Sequence, residues 1–273
     1  MGQNCCSERK VPTKRSSAPP PLVLDFPSGG RSEIEVFYGA VSTKDVPTIV
    51  KLLASNAAVK DIEEGMHPWA SDPKTVGTLA CTQLAILVSS GDNAEKTKDK
   101  VRRLGGIPAV VGFLGSDSDD RVHAAAVALS YLTTDNSDNS VECYQAGGLK
   151  LLAPHMKSPI DGMRSAAAGT IRNMFQPSLK IRREVMDLGL FVDFVNMVRW
   201  DPAREDQEHA DLVLESVLNL QDLVEDPASG ECVPGFVRAA AAAGLVPRLQ
   251  QLAAVPDEEI RSAVAELLGK VQQ

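Results

Sequence analysis

Three groups near the start of this 273-residue chain could carry chemistry, and that chemistry is acylation. In Met-Gly-Gln-Asn-Cys-Cys, removal of Met1 frees the Gly2 amine for amide-linked myristate, and the Cys5 and Cys6 thiols lie close by for thioester-linked palmitate. Cys6 stands where the acceptor pattern has Ser or Thr, and Ser7 follows one place late. The number of acyl chains matters: one myristoyl group binds a bilayer only reversibly, at about 10⁴ M⁻¹. Each further buried CH₂ adds about 0.8 kcal/mol, so a second chain makes attachment long-lived. The expected attachment is peripheral, and no run of about twenty apolar residues could form a membrane-spanning helix.

Elsewhere the residue types that do chemistry are scattered. His67, His123, His155 and His209 include no pair at i, i+4 and none beside a cysteine pair at zinc-ligand spacing, so each reads as a surface or packing residue. Asp117-Ser118-Asp119-Asp120 has the carboxylates of a calcium loop but not its glycine or closing Glu; it reads as the acidic start of a helix. Neither a Gly-rich phosphate loop after a strand nor a nucleophile–base signature is present. The expectation is a non-enzyme with no metal, cofactor or small-molecule substrate. Cys81, Cys143 and Cys232, odd in number and far apart, suit reduced thiols inside helices better than disulfides.

Charge divides the chain. Residues 1–31 hold Arg9, Lys10, Lys14, Arg15 and Arg31 against Glu8 and Asp25, whereas the whole chain carries −8, so the body is acidic. Arg9, Lys10, Lys14 and Arg15 beside an acylated end would add about 1 kcal/mol each on an anionic bilayer. The acidic body argues against nucleic acid. Pro12, Pro19, Pro20, Pro21, Pro27, Gly29 and Gly30 give residues 11–31 the composition of an extended linker. Ser16 and Ser17 directly follow two basic residues, where phosphate would weaken that attraction. The organisation expected is an acylated anchor over 1–10, a basic Pro/Ser-rich linker over 11–31, and one folded domain over 32–273.

That domain is internally repetitive. Gly105, Gly147 and Gly189 recur every 42 residues, Gly244 follows after 55, and each opens an apolar segment. A copy at Val46–Leu53 lacks the glycine, which brings the number of units to five. Each glycine suits the left-handed residue that closes one helix, and Pro47, Pro108 and Pro247 suit the first turn of the next. First helices are expected over 93–104, 136–146, 178–188 and 233–243. Alanine-rich third helices follow at 121–132 and 163–175, the latter opened by a capping box at Ser158-Pro159-Ile160-Asp161. An amphipathic helix over 258–273 reads as a terminal cap. Extra residues at 56–75, 200–210 and 226–234 read as loops. Trp69 and Trp200, in or beside them, could each anchor a partner or cover the end of the core.

Three helices in about 42 residues with a glycine corner resemble the armadillo repeat, so the expected fold is all-α: a right-handed α-α superhelix with a disordered N-terminal tail. The resemblance implies a partner groove along the third helices, whose pattern A-x-x-A-L-x-N-L puts Ile86, Tyr131, Asn173 and Asp222 at the Asn position. With only Asn173 conforming, a soluble receptor of the nuclear-import type is disfavoured. The fungal vacuolar armadillo protein also couples acylation to such repeats, but it is much longer. Together, MGQNCC, the basic Pro-rich linker and the five repeats resemble the armadillo-repeats-only family of apicomplexan parasites over the whole chain. That family implies a scaffold tethered through Gly2, Cys5 and Cys6 to the cytosolic face of the rhoptry, a secretory organelle. The partners it implies are a myosin motor, a small adaptor protein and an adenylate cyclase.

Overall fold

A computed structural model of the protein describes residues 32–59, 74–89, 91, 93–204 and 206–272. The anchor and linker, His67 and Trp69 lie outside them. The described residues form five three-helix units. The first comprises α1 (Glu33–Thr43), α2 (Val46–Leu52) and α3 (Val76–Ser89), and the second α4 (Ala94–Arg103), α5 (Gly106–Phe113) and α6 (Asp119–Thr133). The third has α7 (Ser137–Gln145), α8 (Gly148–Leu152), which runs on as a 3₁₀ turn over Ala153–Lys157, and α9 (Asp161–Phe175). Then come α10 (Leu179–Asp187), α11 (Leu190–Met197) and α12 (Gln207–Val224), and finally α13 (Pro234–Ala242), α14 (Leu245–Leu252) and α15 (Glu258–Val271). The units stack as an armadillo-repeat solenoid whose third helices touch in sequence, with one continuous core running through all five.

The corners follow the chemistry of their residues. Gly105, Gly147, Gly189 and Gly244 have φ of 74°, 89°, 75° and 92°, a region in which side chains with a Cβ are strained. Unit one has no glycine there, and Lys44 takes the left-handed conformation at φ 53°. Its first helix, absent from the sequence-based assignment, opens with a true capping box: Glu35 N donates to Ser32 Oγ, and the Ser32 amide donates to the Glu35 carboxylate at 2.8 Å.

A second device, at a recurrent position, closes two of the third helices, α6 and α12. Lys98, Ser140 and Arg182, spaced 42 residues apart, are all buried on first helices. Lys98 Nζ donates to the carbonyl of Thr134 at 2.7 Å, Ser140 Oγ to that of Thr133 at 3.1 Å, and Arg182 Nη1 to that of Glu225. The last carbonyls of a helix have no partner within it and carry its negative end, so a buried donor there stabilises the turn into the next unit. Arg182 is also sandwiched between Phe175 and Phe236, 5.4 and 5.6 Å from their centroids, which ties the fourth unit to both neighbours.

Three expectations are corrected. Ser158 does not cap α9: Ile160 is the N-cap, while Ser158 Oγ accepts from Ile160 N in a local turn and the Ser158 carbonyl accepts from Arg164. The helix begins at Asp161, two residues later than the box requires, with Pro159 outside it. Residues 207–210 are helical, so the fourth unit's extra length partly extends its third helix. Cys232 sits in no helix but in an isolated bridge with Glu225. The amphipathic helix expected over 258–273 is α15, the third helix of unit five, its stripe of Ile260, Val264 and Leu267 buried in contact with α12 and α14.

Candidate partner-binding surface

Small residues set the spacing of the inner row. Ala125, Ala126 and Ala128 of α6 and Ala166, Ala167 and Ala168 of α9 are buried, so these helices approach closely. Opposite this stripe, each third helix turns a line of residues outward. Ile86 is 59% exposed and Tyr131 42%, so both stand free on the surface. Around the nearby α3–α6 junction, Thr78, Leu79, Thr82, Ala85, Ala124 and Val127 line a mainly apolar depression of about 210 Å³.

Further along, the same line is taken up by bonds between helices. The Asn173 amide donates to Ser130 O at 3.3 Å, to Thr133 Oγ1 at 3.0 Å and to Thr134 Oγ1 at 3.3 Å, all at the end of α6. Asp222 forms an ion pair with Arg172 across α9 and α12. Gln221 donates to Glu266 at 2.9 Å, and Lys270 reaches both Glu225 and Glu266 at 2.6 Å. The four groove residues therefore fall on one line but divide into two kinds: Ile86 and Tyr131 offer surface, while Asn173 and Asp222 link repeats. Arg172 is the member of this line that the sequence did not flag. Its signal was its place directly before Asn173, the position that the acidic Asp222 holds in the next unit.

Between the third and fourth units the inner row parts into a cleft of about 650 Å³, walled by the 3₁₀ turn and α9 on one side and by α11, Arg199, Asp201, Arg204 and α12 on the other. Ion pairs bridge it: Arg204 joins Asp161 and Asp206, Arg164 also holds Asp161, and Lys157 lies 3.5 Å from Asp193. Hydrogen bonds from Arg204 hold the Asp206 carboxyl below its usual range. His209 packs inward, its Nε2 accepting from Asp201 N at 2.9 Å and its ring 5.1 Å from that of Trp200. Trp200 is half-buried against the core, beside Arg248, Leu252 and Val255. The segment 117–120 starts α6 as expected, with Asp119 and Asp120 in its first turn and Ser118 as the cap.

The buried thiols are poorly placed for reaction. Desolvation pushes Cys143 up to about 12 and raises Cys81 as well, so neither forms the thiolate that nucleophilic or metal chemistry needs. Among the described residues no group of three His, Cys, Asp or Glu is arranged to hold a metal, and no helix is long and apolar enough to cross a membrane.

No known protein-family profile matches the chain. Among solved structures, it is similar to the armadillo-repeats-only protein of Plasmodium falciparum, with 35% identity, a TM-score of 0.78 and coverage of 91% of this chain and 100% of that one. A designed armadillo repeat protein in complex with the peptide (KR)4 shares 16% identity at a TM-score of 0.61, over 86% of this chain and 85% of the other. An engineered protein at 20% identity has the same TM-score over 89% of this chain and 85% of its own. These last two likenesses speak for the solenoid alone. The repeat architecture, its five units and the near-complete correspondence with the Plasmodium protein place the chain in the apicomplexan armadillo-repeats-only family.

Proposed function

We propose that this protein is a lipid-anchored scaffold on the cytosolic face of a secretory organelle, the rhoptry, where its repeats gather proteins that position the organelle. The observation that carries the reading is the family membership, seen over the whole repeat domain. The acylation signal at Gly2, Cys5 and Cys6 supports the membrane part, with Arg9, Lys10, Lys14 and Arg15 adding attraction to anionic lipid. The partner part rests on the exposed line through Ile86 and Tyr131, an apolar surface bounded by charge, as expected of a site for a folded or helical partner. The partners implied by the family resemblance are a myosin motor, a small adaptor protein and an adenylate cyclase.

The experiment is fractionation with proximity labelling in the native cell. Gly2→Ala is expected to move the protein from the membrane to the soluble fraction, and replacing Cys5 and Cys6 together to leave weak, mislocalised attachment. Ile86→Asp with Tyr131→Asp is expected to leave location intact and reduce partner capture at least tenfold. A Gly2→Ala protein that still fractionates with membranes would remove the anchor from the reading. Unchanged capture by the groove variant would move partner binding elsewhere on the repeats.

A further inference from the structure

At the end of the stack that follows the tail, three lysines meet at one depression. Lys44 stands at the corner of unit one, where the other four units have glycine, and takes the left-handed conformation at φ 53° despite its Cβ. A strained residue kept where the unstrained one would serve points to a use for its side chain. Lys100 of α4 stands 42 and 84 residues before Glu142 of α7 and Glu184 of α10, so this unit carries a cation where the next two carry an acid. Lys96, one turn earlier on α4, holds the place of Asp138 in unit three and of Lys180 in unit four.

Lys44, Lys96 and Lys100 line a depression of about 390 Å³ between the end of α1, the end of α3 and the start of α4, with Val46 and Leu87 as its apolar lining. All three lysines are exposed, and none forms an ion pair among the described residues. No carboxylate among the described residues lines the depression, and Asp92 lies outside them. The acids nearby in sequence are engaged: Asp45 accepts from Thr48 Oγ1 at 2.6 Å, Glu95 pairs with Lys98 at 2.6 Å, and Asp99 with Arg102 at 3.5 Å. The first turn of α4 opens into the same space, and its N-cap Asn93 makes no side-chain bond to the helix, so the positive helix end adds to the three ammonium groups. Three uncompensated cations and a helix N-terminus around one depression fit a phosphate group.

The chain itself favours lipid as the source of that phosphate. Residues 11–31 separate the first unit from the acylation signal by at most about 70 Å of extended chain, so an acylated end would hold this depression near the bilayer. Charge changes along the stack in the same sense. Residues 32–104 carry nine Lys and Arg against ten Asp and Glu, and residues 105–273 carry fourteen against twenty-four. An anionic surface therefore repels the far repeats much more than the near ones. We propose that the depression at Lys44, Lys96 and Lys100 binds the phosphate of an anionic lipid headgroup, so that the first two repeats lie on the bilayer and the later ones stand clear of it. This rests on the membrane part of the scaffold reading.

The test is flotation of the full-length protein carrying Gly2→Ala, Cys5→Ser and Cys6→Ser, which can hold no acyl chain, on vesicles of phosphatidylcholine and phosphatidylserine in equal parts. Lys44→Gly, Lys96→Gln and Lys100→Gln together are expected to weaken binding by about tenfold or more. Glycine suits the corner, so this variant should melt no lower than its parent. Lys150→Gln, Lys180→Gln and Arg183→Gln, an equal change of charge at exposed positions of the third and fourth repeats, should leave binding unchanged. Unchanged binding in the first variant, or an equal loss in the second, would leave only attraction by net charge and overturn the site. Inorganic phosphate and an acidic (DE)4 peptide serve as rival ligands at matched ionic strength, and each is expected to bind more weakly than the vesicles. Tighter binding of either, lost in the Lys44, Lys96 and Lys100 variant, would give the depression to a soluble anion or an acidic protein and overturn the lipid assignment. Because the tested protein has no acyl chain, its failure on vesicles leaves the anchor standing; the anchor fails in the fractionation experiment instead.

Discussion

Asn173 shows how one side chain on a binding line can be used for cohesion. Its amide fastens the start of the last turn of α9 to three acceptors at the end of α6, so it is not free to hold a partner's backbone. Replacing it with Ala removes a hydrogen-bonding hub between two repeats, and the expected cost is about 1 kcal/mol. Urea titration of Asn173→Ala against wild type reads this directly as a lower midpoint at unchanged slope. Tyr131 makes the contrast: it lies on the surface at 42% exposure and makes no hydrogen bond between repeats, and Tyr131→Ala should leave stability within about 0.5 kcal/mol of wild type. Loss of partner capture after changing Asn173 would therefore be ambiguous, whereas loss after changing Tyr131 would report on the surface itself.

At the scale of elements, the two glycines of the α7–α8 corner do different work. Gly147 has φ 89° and open space around its missing side chain, so what it supplies is backbone freedom. Gly148 has an ordinary φ, but a Cβ there would lie 2.6 Å from Cys143 Sγ and 2.9 Å from the Cys143 carbonyl oxygen, so what it supplies is room. Either glycine replaced by Ala should destabilise the fold, by about 1–3 kcal/mol for the strained backbone and by a similar amount for the overpacked contact. Asn separates the two mechanisms, because it tolerates the left-handed region but is larger than Ala. Gly147→Asn should recover much of the stability lost in Gly147→Ala, and Gly148→Asn should recover none. Thermal melts of the four variants check this, and equal behaviour of the two Asn variants would refute it.

Over the whole molecule, charged clasps along the repeat stack respond to acid together. The Asp99 carboxyl is lowered chiefly by the Asn136 hydrogen bond, Asp206 by Arg204 and Glu266 by Lys270. A carboxylate whose folded value lies below its unfolded one binds fewer protons when folded. Its stabilisation is complete above the unfolded value, near pH 4, and is lost as pH falls through the folded value. The melting temperature should thus hold steady from pH 7 to about pH 5 and decline below about pH 4. Asp206→Asn combined with Glu266→Gln should flatten that decline. These groups are exposed, so added salt should reduce the effect at every pH. An acid response that salt leaves unchanged would assign it to buried groups instead.

The glycine period, the alanine stripe and the helix breaks were legible in the sequence because each is a local constraint. A left-handed corner requires a residue without strain there, close helix approach requires small side chains, and both recur every 42 residues wherever the unit recurs. The acylation signal is local in the same sense, a matter of adjacent residues alone. The corner at Lys44 and the failed cap at Ser158 mark the limit of that reading, since a non-glycine takes the left-handed corner at one, its N–H bonded to the Val41 carbonyl, and the helix begins two residues late at the other. What only the tertiary structure decided is which exposed positions remain available. Asn173 and Asp222 share a register with Tyr131, yet residues about forty to fifty positions away in the chain occupy them, while Lys44 and Lys100 meet at a depression no spacing rule links. Sequence specifies each helix and its stripe; the fit between stacked helices determines which polar groups find partners within the protein and which remain open to another molecule.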